Sequence, residues 1–166
     1  MSELKALSKE AIPAALEKAT RYRLLNEPAE AESICLDVLK VDPENQEAII
    51  TLLLALTDRF EKGYGVSDTQ TKELLARIKS EYDRVYYAGI VAERRAKVKL
   101  AQHTPDCRFQ AYDLFHDAMT WFEKAEAVRP SGNDDALLRW NTCARIIARN
   151  KLVPRGEEER IEFPLE

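Results

Sequence analysis

The chain has few of the residues that interrupt regular structure and no long apolar run. Its 166 residues include 5 glycines and 7 prolines, and 45% of them are hydrophobic. This composition is typical of a folded domain and argues against a disordered chain. The longest apolar run, residues 48–56, is far shorter than the roughly 20 residues that a membrane-spanning helix needs. The N-terminus lacks the features of a signal peptide, so we expect a cytoplasmic protein without membrane contact.

The chain also lacks an excess of positive charge. Its 25 Lys and Arg residues are outnumbered by 29 Asp and Glu residues, which gives a formal net charge of -4. Nucleic-acid binding is driven by clustered basic residues that neutralise phosphates. We therefore expect no nucleic-acid partner.

Cysteine and histidine are scarce. The three cysteines are an odd number at wide spacing, which indicates free thiols on helices and not a disulfide framework. His103 and Cys107 have the spacing of a helical metal-binding pair, but Pro105 lies between them and breaks the helix that would align them. A surface turn over residues 103–107 is the favoured interpretation. We expect no metal and no other cofactor.

No arrangement of catalytic residues is evident. His116 lies between Asp113 and Asp117, yet no motif places a Ser or Cys nucleophile with it. A glycine-rich phosphate loop is also absent. We therefore expect that the chain is not an enzyme, and a helical-bundle enzyme or metal protein is only a distant alternative.

The sequence does contain apolar stripes at helical spacing, and proline turns end them. Asp42 and Pro43 end one stripe at residue 41, because proline inside a helix removes a hydrogen bond and clashes with the preceding turn. We expect the next helix to begin at Pro43 or Glu44. The stretch 69–102 is too long for one ordinary helix, and we place a break near residues 79–83, with Ser80 as the next N-cap. The pattern predicts an all-α protein.

The stripes and prolines also follow the pattern of a known repeat. That pattern has a small residue, Tyr three positions later, then Ala, an aromatic or large residue four positions after it, and Pro, in a unit of about 34 residues. The first repeat departs from the pattern at Ala15 and Lys18, where Trp and Leu are expected, and at Cys35, which takes the place of the aromatic residue. The matching residues are Ala19, Tyr22, Ala31, Cys35 and Pro43, and near the end of the chain Ala118, Phe122, Ala125 and Pro130. The chain thus resembles the tetratricopeptide repeat (TPR) family.

The resemblance implies a right-handed superhelical array of antiparallel helix hairpins, which is an α-solenoid. We expect one such domain over residues 1–152, followed by an extended acidic tail over residues 153–166. The expected elements of the domain are hairpins at about 9–41, 44–80 and 82–128 and a capping helix at about 133–149. The tail carries an apolar cluster, so its docking on its own groove or on a neighbour's could join copies into a homo-oligomer.

In TPR proteins the first helix of each hairpin lines a concave groove. The resemblance implies a mostly apolar groove here, suited to an extended or helical peptide with apolar anchors. The candidate groove residues are Leu16, Thr20, Arg23, Ile50, Leu54, Thr57, Tyr86 and Ile90. Leu16, Leu54 and Tyr86 could equally be core residues between packed helices. Chaperone-binding TPR domains hold a carboxylate with Lys and Asn, but Leu16, Thr20 and Thr51 stand at those positions.

Positive charge is concentrated in one run, made of Arg94, Arg95, Lys97 and Lys99. The simpler interpretation of this run is a solvated helix face, and the alternative is a dock for an acidic segment. Together these features predict a scaffold or adaptor that binds a peptide segment of a partner protein. A client-specific chaperone resembling TPR secretion chaperones is the nearest alternative.

Overall fold

The computed structural model describes residues 1–62 and 67–156. Over these ranges the chain forms seven α-helices and no strand, which confirms the predicted all-α class for the part described. Within the same ranges, no helix combines the length and the apolar character needed to cross a membrane. The helices are α1 (Ile12–Leu24), α2 (Pro28–Val41), α3 (Gln46–Thr57), α4 (Asp68–Arg77), α5 (Glu81–Ala101), α6 (Pro105–Ala127) and α7 (Asp135–Asn150), with 3₁₀ segments at Lys9–Ala11 and Phe60–Lys62.

The helices group into two compact units. The first unit covers Met1–Lys79 and the second begins at Ser80. In the first unit α1 packs on α2, α2 on α3 and α3 on α4, and α1 also contacts α3. In the second unit α5 and α6 form a long hairpin, and α7 packs on α6. Each unit is therefore built mainly from helices that follow one another in sequence, as short connections favour.

Polar N-caps set the starts of α3 and α4 in the first unit. Asn45 accepts a hydrogen bond from the backbone N–H of Ala48 at 2.9 Å, so α3 begins after Asn45 and not at Pro43 or Glu44. An asparagine at this position satisfies a backbone donor that the helix itself leaves unpaired. Ahead of α4, Ser67 and Gln70 form a reciprocal capping box.

The expected break in the stretch 69–102 is present. The backbone of Ile78 is extended, and the Ser80 side chain accepts a hydrogen bond from the N–H of Asp83 at 3.2 Å. A serine cap in extended conformation ends one helix and starts the next without Gly or Pro. The break lies where the capping residue predicted it.

The turn between α5 and α6 is shorter than the expected 103–107. His103 adopts a left-handed conformation with φ 57°, and the Thr104 side chain accepts a hydrogen bond from the N–H of Cys107 at 3.2 Å. Pro105 is then the first residue of α6, a position where its missing N–H costs nothing. The proline that separates His103 from Cys107 therefore starts a helix and does not lie in a loop.

Small and aliphatic residues fill the core of the first unit. The alanines allow close approach of the helices, and the larger side chains fill the space between α1, α2 and α3. The fully buried or nearly fully buried residues include Leu16, Ala19, Ala31, Cys35, Val38, Ile49, Leu53 and Ala55.

In the second unit, α6 packs closely against α5 at Gly89. A Cβ atom at this position would lie 2.5 Å from Cε1 and 2.8 Å from Cδ1 of Phe122. The Phe122 ring is fully buried and also contacts Tyr86, with ring centroids 5.8 Å apart. Because the ring has little room to move, the packing of the two helices requires a glycine here.

A buried carboxylate links α5 to α7. Glu93 is fully buried, and its Oε2 accepts a hydrogen bond from Nη2 of Arg139 on α7. Its Oε1 lies 3.4 Å from Sγ of Cys143, and Oε2 lies 3.7 Å from Nζ of Lys97. Removing Arg139 would leave a desolvated carboxylate with Lys97 as its remaining ion-pair partner among the described residues, which destabilises the folded state. Glu93 therefore makes the packing of α5 depend on α7.

The three cysteines are unpaired and lie in different environments. Cys35 and Cys143 are fully buried, and burial raises the pKa of each thiol to about 12. Cys107 is half-buried near the start of α6, with its Sγ 2.8 Å from Oε1 of Gln102. Since the thiolate is the reactive form, the two buried cysteines are protected both by packing and by protonation.

We expect Gly89→Ala to destabilise the protein by about 1–3 kcal/mol, because the added methyl group overlaps the Phe122 ring. On an open helix face the same change stabilises by about 1 kcal/mol. The sign of the change in unfolding free energy, measured by urea unfolding with circular dichroism, therefore distinguishes a tightly packed Gly89 from an open helix face. As a control, Gly89→Ala with Phe122→Leu should cost less than the sum of the two single variants. A more stable Gly89→Ala protein would contradict the packing argument.

We also expect one fast-reacting thiol in the native protein at pH 8 to 9, and three in denaturant. Cys107 is the accessible thiol, whereas Cys35 and Cys143 stay protonated until the pH approaches about 12. Titration with a chromogenic disulfide reagent counts them, and Cys107→Ser should leave no fast-reacting thiol in the folded state. Fast native reaction of two or more thiols would show that the core is open.

Candidate functional site

The groove residues predicted on α1 and α3 have very different exposures. Leu16 and Thr57 are buried in the first unit, so a ligand cannot reach them. Thr20 is exposed, and Ile50 and Leu54 are half-buried. The contact between α1 and α3 brings these residues into one unit. The face that remains open to a ligand is therefore smaller than the predicted groove.

Arg23, another predicted groove residue, is engaged in an ion pair. Its Nε donates to Oδ2 of Asp58 at 2.8 Å and its Nη2 donates to Oδ1 at 3.3 Å. Both side chains are less than one-fifth exposed. This bidentate ion pair joins the C-terminal end of α1 to that of α3. Arg23 therefore has a structural role in the packing of these two helices.

The predicted groove residues of the second unit belong largely to its core. Ile90 is buried, and Tyr86 is half-buried. Tyr86 stacks on Tyr82 with centroids 5.7 Å apart and meets Tyr87 edge-on at 5.1 Å. Burial, and then the nearby Asp135 carboxylate, raise the pKa of Tyr86 to about 12. The aromatic ring at position 86 is thus a packing element of the α5–α6 hairpin.

The basic run lies along α5 as a half-buried strip. None of its four residues is fully exposed, and burial lowers the pKa of Arg95. Lys97 lies on the same side as the buried Glu93 carboxylate. The residues of this strip are Arg94, Arg95, Lys97 and Lys99.

The chain after α7 returns to the start of α6. Leu152 is buried, and Arg155 pairs with the Asp106 carboxylate. The guanidinium carbon of Arg155 also lies 4.9 Å from the centre of the Phe109 ring. The expected tail therefore begins with packed residues, and its remainder, from residue 157 onward, lies outside the described residues.

An apolar trough that the sequence did not predict lies between α2 and α4. Leu52 and Leu56 of α3 and Leu74 of α4 form its floor, and each of the three is 5% or 6% exposed. Leu36 of α2 stands at its edge and is 53% exposed. The trough encloses about 210 Å³. An apolar cavity of roughly 150 Å³ holds a benzene ring, so the trough has room for at least one large apolar side chain.

The rim of the trough is polar. Glu32 of α2 is neutralised by Arg59, and Nη2 of Arg77 donates to the carbonyl oxygen of Pro43 at 2.7 Å. Glu73 of α4 is exposed and makes no ion pair or hydrogen bond with any described residue. The rim thus presents an exposed carboxylate at Glu73 and, one turn further along α4, the Arg77 guanidinium, whose hydrogen-bond partner is a neutral carbonyl group. The sequence signal for the trough was Leu36, an apolar residue on the otherwise polar outer side of α2.

The histidines and cysteines do not form a chemical centre. Among residues 1–62 and 67–156 no group of three His, Cys, Asp or Glu side chains could hold a metal ion. His116 is exposed on α6, where its ring lies 4.4 Å from that of Tyr112. The two rings are tilted by 45° to each other, and the rest of the His116 side chain faces solvent.

The trough is therefore the candidate functional site that the geometry favours most, and the open part of the α1–α3 face is the second. Both lie in the first unit. Comparison of this chain with protein-family models, with curated proteins and with solved structures gives no match.

Proposed function

We propose that this chain is a non-catalytic, TPR-like helical-repeat protein that binds a peptide segment of a partner protein. The architecture is supported by the residues that carry the resemblance, because they lie at helix contacts. Those that are fully buried are Ala19, Ala31, Cys35, Ala118, Phe122 and Ala125. In a helical array, such small and aromatic residues set the distance between paired helices.

The observation that carries the binding proposal is the trough between α2 and α4. Its walls are two helices, and its α4 wall presents Gln70, Glu73, Leu74 and Arg77 at the i, i+3, i+4, i+7 spacing of one helix face. A groove of this form suits an amphipathic helix whose apolar side chain inserts between the walls. Leu36 would be covered on binding, and removal of its apolar surface from water would favour the complex.

The charge on the rim indicates the chemistry of the peptide. Glu73 is unpaired and exposed, so a Lys or Arg beside the apolar anchor would find an opposite charge there. Such a rim contact is screened by salt and favours orientation and association rate more than affinity. The anchor in the trough would supply most of the binding free energy.

The experiment begins with the partner that co-purifies with the intact chain, from which a synthetic peptide is made and its affinity measured by calorimetry. We expect Leu36→Glu to weaken binding of this peptide at least tenfold, because it places a carboxylate at the mouth of the apolar trough. Ser33→Glu is the matched control, since Ser33 is exposed on the same helix and outside the trough.

Leu54→Glu tests the competing α1–α3 face in the same assay. Loss of binding in Leu54→Glu with normal binding in Leu36→Glu would move the site to that face. If neither folded variant changes the affinity, or if no peptide of the partner binds, the proposal fails.

A further inference from the structure

A second groove, here called the end groove, lies on the α1–α2 hairpin and shares no lining residue with the trough. It encloses about 280 Å³, and none of its lining residues belongs to α3 or α4. Its lining residues are Leu7, Ala11, Ala14, Ala15, Lys18, Ile34 and Asp37. Leu4, in the segment that leads to this groove, is 76% exposed. The hairpin thus has one side packed on the rest of the first unit and another apolar side that is open.

The lining of this end groove is suited to contact with a helix. Ala11, Ala14, Ala15 and Lys18 follow the i, i+3, i+4, i+7 spacing, so they form one stripe along α1 and its entry turn. Ala14 is exposed and Ala15 is half-buried. Alanines on such a stripe let another helix approach closely, and Ile34 supplies a larger apolar surface on the opposite wall.

The two walls of the end groove carry opposite charges. Lys18 stands on the α1 wall and Asp37 on the α2 wall. Neither side chain forms an ion pair or a hydrogen bond with any other residue in the described part of the chain. A partner for this surface therefore needs a negative group opposite α1 and a positive group opposite α2.

We propose that the end groove is a two-fold interface with a second copy of this chain. A two-fold axis through the groove exchanges its walls, so Lys18 of one copy meets Asp37 of the other, and the same contact occurs twice. The apolar stripe between the charges then meets itself across the axis. A surface with one charge of each sign on its two walls complements its own copy, whereas a single-sign surface repels it.

The interaction is separate from the peptide trough, because the two grooves share no residue. It needs no ligand, so it is tested on the free protein. Sedimentation velocity over a concentration series at low salt should show a reversible dimer. Raising the salt concentration should weaken the dimer, because exposed ion pairs are screened.

A charge-reversal cycle tests the pairing. Lys18→Glu and Asp37→Lys alone should each raise the dimer dissociation constant about tenfold or more, because each creates two like-charge contacts. The double variant Lys18→Glu with Asp37→Lys should return most of the lost affinity, since its walls are again complementary. Lys72→Glu is the matched control for Lys18→Glu, because Lys72 is exposed on α4 and the change in net charge is the same. It should leave the dimer intact.

Ala14→Glu gives an independent readout, because this residue is exposed and the change leaves a good helix former in α1. It should abolish the dimer while circular dichroism and thermal unfolding stay those of a folded protein. A wild-type chain that is monomeric at all concentrations overturns the proposal. So does a dimer that survives the single charge reversals, or a double variant that is no better than either single one.

Discussion

The structure depends on one constraint, which is that none of its helices can bury its apolar stripe alone. Most of the helices are polar on one side and apolar on another, and α3 is buried on most of its surface, so each helix needs neighbours to cover its apolar residues. The capped turns at Asn45 and Thr104 place successive helices side by side within each unit and meet this need locally. Burial of small residues between them then sets how closely they pack.

The same constraint explains where binding surfaces arise. A hairpin has more than one side, and a neighbouring helix can cover only some of them. In the first unit α3 covers part of α1 and α2, while the edge at Leu36 and the alanine stripe on α1 remain open. Both open surfaces combine an apolar floor with a charged rim, which restricts the partners they accept to those with matching charges.

The all-α class and the helix break at Ser80 could be predicted from the sequence, because periodicity and capping are local signals. The predicted start of α3, at Pro43 or Glu44, was wrong, because the Asn45 side chain caps the helix and α3 begins at Gln46. Exposure of individual residues could not be predicted, because it depends on contacts between helices distant in sequence. Thr57 and Ile90 were therefore groove candidates although both are buried, and of the two interpretations left open for Leu16 its burial favours the core. The trough was missed because it forms only when α2, α3 and α4 come together.

The buried Glu93 carboxylate bears on how this chain can be shortened or rearranged. Loss of a terminal helix from a stack of helices commonly exposes the apolar face that this helix had covered. Here α7 supplies the Arg139 guanidinium that compensates a carboxylate in the interior of α5. A chain truncated before α7 would keep Lys97 of the same helix beside this carboxylate but would lose the Arg139 hydrogen bond and expose a side chain that is fully buried in the intact chain. Removing α7 therefore changes the ion pairs of α5 as well as the apolar surface that it covers.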